Sequence, residues 1–156
     1  MDFSFLTYKP VLIGLHLGFA ILGIDAFLWL TGEFLANTFG KLRVKIAAVI
    51  GVAGFALSWL AGGYYYVVYY GKLVKPVIKE GVAPWAHAIF METKEHIFLF
   101  VIPLAVTALL LAFLKREEIK EYNLSRLATV LVVLIALLGL LIGAMGYIIS
   151  AAARWG

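Results

Sequence analysis

Residues 127–153 read LATVLVVLIALLGLLIGAMGYIISAAA, a run without a single charged side chain. The hydrocarbon core of a bilayer is ~30 Å thick and takes roughly 20 helical residues, so this run is long enough to cross it. Three more runs qualify: Val11 to Leu30, Ile46 to Tyr70, and His96 to Leu114, the last with a polar lead-in from Pro84. None alternates as a strand would, and separate runs of this length fit helices rather than a barrel. The predicted fold class is all-α. It is an integral membrane four-helix bundle forming a single transmembrane domain over residues 1–156.

Composition points the same way. Of 156 residues, 64% are hydrophobic and 14% charged, against about 45–50% and about 25% in an ordinary soluble domain. A soluble chain of this size needs a polar skin that these residues cannot supply, and lipid contact explains the deficit. The absence of cysteine excludes disulfides, thiolate metal sites, iron–sulfur ligation and covalent haem attachment. The net charge of +4 is spread over short connections, which argues against nucleic acid as a partner. The start Met1-Asp2-Phe3-Ser4-Phe5-Leu6 lacks the basic region of a cleavable leader, so the first span is expected to be retained. No phosphate loop, dinucleotide fingerprint, serine elbow or zinc-protease motif is present. Catalysis by this chain alone is therefore not expected, though a subunit role in a membrane oxidoreductase is open.

The connections run from Thr31 to Lys45, from Gly71 to Ala83 with Pro76 and Gly81 as breakers, and from Lys115 to Arg126. Their shortness predicts antiparallel neighbours, with both termini on one side. Lys41, Arg43, Lys45, Lys115, Arg116, Lys120 and Arg126 fall on one side; Lys9, Lys72, Lys75, Lys79 and Arg154 fall on the other. The excess on the first side puts the termini outside in a multi-pass cell-membrane protein. Gly14 and Gly18 in the first span, Gly54, Ser58 and Gly62 in the second, and Gly139, Gly143 and Gly146 in the fourth predict close helix packing. The tyrosines Tyr64, Tyr65, Tyr66, Tyr69 and Tyr70, with Trp85 and Trp155, read as interfacial anchors.

Ionisable groups inside spans are expensive and mark function by default. The first span carries His16 and Asp25, and the third segment carries His87, Glu92, Lys94, Glu95 and His96. Asp25 calls for a partner such as a serine, a tyrosine or a buried water. His16 lies six residues beyond Pro10, ~9 Å along a helix. His96 enters the third apolar run from the same side, so the two share a leaflet. Two imidazoles at matched depth on two helices are what axial ligation of a b-type haem requires. His87 and His96 are nine residues apart, about 180° around a helix, so both cannot face one interior site. His87, beside Pro84 and Trp85, is expected at the interface. Glu92 and His96 share a face, about 40° apart.

The stretch Gly14-Leu15-His16-Leu17-Gly18, followed by an apolar run and Trp29, resembles the opening helix of small four-helix b-type membrane cytochromes, those of the cytochrome b561-like and copper-resistance types. The resemblance covers one helix and implies His16 and His96 as haem ligands. It departs from those proteins in having no histidine in the second and fourth spans, so it implies one haem b at most. The first expectation is thus an electron-transfer subunit, with its haem between the first and third spans, passing electrons between the quinone pool and a partner. A second is a divalent-metal-binding or transport protein using Glu92, His96 and His16, with Glu95 or His87 as a fourth ligand. A third is a cofactor-free accessory subunit, packed in a homo-oligomer or against partner subunits.

Overall fold

The computed structural model describes residues 4–155, so the two limits of the expected domain, residues 1 and 156, lie outside the described residues. A short 3-10 turn, Ser4–Thr7, leads into α1 (Lys9–Leu35) and then α2 (Leu42–Tyr65). The second helix continues through a π-helical stretch, Tyr66–Val74, into α3 (Lys75–Glu80). A second π-helical stretch, Ala86–Met91, opens α4 (Glu92–Phe113), followed by α5 (Arg116–Glu121) and α6 (Ser125–Trp155). Among the described residues, four continuous helical segments are long and apolar enough to cross a membrane: Lys9–Leu35, Leu42–Glu80, Ala86–Phe113 and Ser125–Trp155. No strand occurs among the described residues.

The spans fall where hydropathy puts them, but their ends do not. The second continues well past Tyr70. Gly71 is absorbed into the π-helical stretch, and Pro76 follows it in the first turn of α3. The third begins at Ala86, so the polar lead-in is itself helix. Hydropathy fails at both places for one reason. The extensions are polar enough to leave the apolar window, yet their backbones still close helical bonds.

α1 packs against α2 and α6, and α4 packs against the same two, so α1 and α4 are diagonal in the bundle. The Tyr69 hydroxyl donates to the carbonyl of Thr7 at 2.9 Å, and Ala152 shares a buried cluster with Tyr70, Ile78 and Ala86. The N-terminal turn, the end of α6 and the 81–85 turn therefore gather at one end, called here the terminal end. The other two connections meet at the opposite end, where Ser125 Oγ donates to Asn37 Oδ1 at 3.4 Å. There α1 and α5 each close on an asparagine in the left-handed region, Asn37 (φ 53°) and Asn123 (φ 52°). In each, paired backbone bonds, Thr38 N to Glu33 O and Leu124 N to Ile119 O among them, satisfy the last carbonyls.

The core runs along the bundle through Phe27, Phe55, Val101, Ala105, Ala108, Val132 and Ile135. The α1–α2 seam is its tightest part. A Cβ at Gly54 would lie 2.8 Å from the backbone nitrogen of Gly23 and 2.9 Å from the carbonyl oxygen of Phe19. The glycine set expected on the second span is thus a true contact face. On α1 the contact glycine is Gly23; Gly14 and Gly18 have open space where a Cβ would stand. At the foot of the seam, Glu33 is buried and collects Trp29 Nε1 at 3.1 Å, the Thr38 hydroxyl, and Arg43 Nε at 2.7 Å. Hydropathy ends the first span before Glu33, so this clamp escapes a reading of the sequence.

Candidate functional site

The third span decides the site. Its buried residues Val101, Ala105, Ala108 and Ala112 recur at helical spacing and define the face that meets the bundle. Carried back at about 100° per residue, that face includes Lys94 and places His96 on the opposite side. The side chains follow. His96 is exposed, and its Nδ1 lies 2.6 Å from the carbonyl oxygen of Glu92, one turn earlier. Glu92 is also exposed.

His16 turns into the α1–α2 seam. Its ring occupies the space a Cβ on Gly62 would need, with Nδ1 2.5 Å from that position. Nδ1 lies 2.9 Å from both the carbonyl and the hydroxyl oxygen of the fully buried Ser58. The Ser58 hydroxyl also lies 2.9 Å from the His16 carbonyl, to which it donates. With the hydroxyl hydrogen committed there, Nδ1 carries a proton and donates to Ser58, leaving Nε2 as the free nitrogen. His16 and His96 are therefore not brought together. One is inside a helix pair and the other on the outer surface of a diagonal helix. They frame no common slot for a haem within the bundle, and a donor set for one is not assembled there. Nor do three or more His, Cys, Asp or Glu side chains converge on a metal position anywhere among the described residues.

What the structure assembles instead lies at the terminal end, between the second and third spans. His87, expected at the interface, is 5% exposed, and its Nδ1 lies 3.1 Å from the hydroxyl of Tyr70, itself 2% exposed. Tyr70 stacks on Tyr66 with ring centroids 5.2 Å apart. Both rings belong to the π-helical stretch Tyr66–Val74, and His87 to the other π-helical stretch. Such widened turns interrupt regular packing and recur at functional sites. Tyr66 lies beside the carboxyl of Glu95. Oε1 of Glu95 is buried with no hydrogen-bond partner among the described residues.

Lys94 continues the series inward. It lies on the inward face of α4, and its ammonium sits 3.6 Å from where a Cβ on Gly146 would be. Two hydrogen-bonded pairs, Tyr70 with His87 and His16 with Ser58, thus flank a group of polar side chains made of Tyr66, Glu95 and Lys94. Below Ser58 the bundle is closed by aromatic packing. Phe27 and Phe55 stack at 5.4 Å, and Phe98 meets Phe55 edge-on at 6.5 Å.

Comparison with family models, with curated proteins and with solved structures finds no match to this chain. The sequence marks His16, His87, Glu92, Glu95 and His96 but does not say which belong together. Tyr70 and Lys94 were missed as partners. The alanine spacing in the third span was the available signal for Lys94. Nothing local announced Tyr70, because its burial depends on a helix that continues through Gly71.

Proposed function

We propose that the chain is an integral membrane protein that takes protons up from the face carrying its termini. It delivers them to a point inside the bilayer, where a membrane oxidoreductase consumes them, as quinone reduction does. The observation that carries this reading is the buried, unpartnered Oε1 of Glu95 at the inner end of the Tyr70–His87 pair. A carboxyl oxygen removed from water and left without a donor is costly, and a transiently held proton relieves that cost. Histidine, tyrosine and lysine can each pass a proton along a hydrogen-bonded series, and intramembrane chains of this type mark proton pathways. The series stops at Ser58 against the phenylalanine packing, so it is a blind path rather than a channel.

The test uses protein with ¹³C-labelled glutamate side chains in lipid nanodiscs. The Glu95 carboxyl resonance, assigned by its loss in Glu95→Gln, should follow bulk pH. Its exchange should slow at least tenfold in His87→Phe. Equal exchange in that variant would falsify entry through His87 and Tyr70. Vesicles holding the wild-type protein and an entrapped pH dye should leak protons no faster than protein-free ones.

A further inference from the structure

Asp25 is exposed on α1 and has neither a hydrogen bond nor an ion pair within the described residues. No serine or tyrosine among the described residues hydrogen-bonds it. It stands three residues past Leu22, the middle of α1, an offset of about 5 Å. If α1 spans a bilayer, this carboxyl faces the hydrocarbon core, the most expensive place for it. Such a group persists where something outside the chain answers it.

The surroundings of Asp25 describe what that is. Gly14, Gly18 and Gly32 lie with it inside an arc of about 40°, at 100° per residue. All three have open space where a Cβ would stand. Ile21, Leu22 and Leu28 flank the strip and are 46–49% exposed. A second helix can therefore approach the α1 backbone closely along this line and reach Asp25. No described residue supplies the answering charge. Its basic residues lie toward helix ends, except Lys94, which is packed inward near Gly146. Two copies joined along this strip would set carboxyl against carboxyl, a repulsive pairing.

We infer that the Gly14–Gly18–Asp25–Gly32 face of α1 docks a transmembrane helix of a different protein, one carrying a basic side chain at mid-membrane depth. This rests on the membrane reading above but not on the proton path. The docked helix would convert an isolated carboxyl into a hydrogen-bonded ion pair shielded from lipid.

The probes are two synthetic leucine–alanine membrane helices, one with a single central lysine and one with leucine there. Association with the labelled full chain in phosphatidylcholine vesicles is read by energy transfer. The lysine helix should bind at least tenfold more tightly than the leucine helix. Asp25→Ala should remove that preference, and Gly18→Ile should weaken binding of the lysine helix by blocking the strip. Equal binding of the two helices overturns the inference, as does a preference that survives Asp25→Ala. Self-association of the chain that competes with the lysine helix and is lost in Asp25→Ala also overturns it, in favour of a second copy. Retention of the chain on vesicles after alkaline washing is measured in parallel. Loss of the chain overturns the membrane reading and this inference with it, whereas retention without lysine-helix binding overturns the docking face alone.

Discussion

Gly54→Val should loosen the α1–α2 pair and lower unfolding stability by about 3 kcal/mol, the upper part of the usual range for overpacking. The reason is what the new side chain meets. The first added carbon lies 2.8 Å from one backbone atom of α1 and 2.9 Å from two others. Backbone cannot swing aside as a long side chain can, so the helices must separate. Separation would also stretch the His16–Ser58 bonds, which cross the same seam one turn away. Gly14→Val makes the same chemical change on the first span, where nothing stands within 4 Å of the new carbon. Its effect on the isolated protein should stay within about 0.5 kcal/mol. Reversible unfolding in mixed detergent micelles, followed by circular dichroism, measures both. Equal losses in the two variants would show that the close approach of Gly54 to the α1 backbone is not what the substitution disturbs.

Phe55→Ala should be the most damaging single truncation in the core, at about 3–5 kcal/mol. Its ring is 2% exposed and fills a position between three helices. It stacks on Phe27 at 8° between planes, meets Phe98 edge-on at 82°, covers Gly23, and reaches Gly139 of α6. Removing it leaves a cavity that Gly23 and Gly139 cannot fill, because neither has a side chain to relax inward. The same ring closes the inner end of the polar series, so the variant has a second readout. Vesicles carrying Phe55→Ala should leak protons faster than those carrying the wild type. A variant that unfolds more easily without added leak would place the barrier elsewhere in the bundle.

The functional residues show where sequence reading loses its hold. His16 and His96 read as sharing a depth, because depth is inferred from position along the chain. Whether they face each other depends on helix rotation, and that is fixed by packing. On the third span the alanine and valine positions turn Lys94 inward and His96 outward. His87 reads as an interfacial residue beside Pro84 and Trp85, yet it is buried because the second helix runs on through Gly71 and brings Tyr70 against it. Asp25 reads as a residue needing a partner within the bundle, and the structure leaves it outside.

By itself the sequence determined that the chain is helical and carries four segments able to span a bilayer. Hydrophobicity and length are additive along a chain and need no knowledge of neighbours. It also determined that α2 would present a close-packing face, since small residues four apart must share one side of a helix. Only the tertiary structure decided which helices are diagonal, which polar side chains meet, and which are left facing outward. Those outcomes depend on rotation about each helix axis, and rotation is set by contacts such as Gly54 on Gly23 and Phe55 on Phe27 that join residues far apart in the chain.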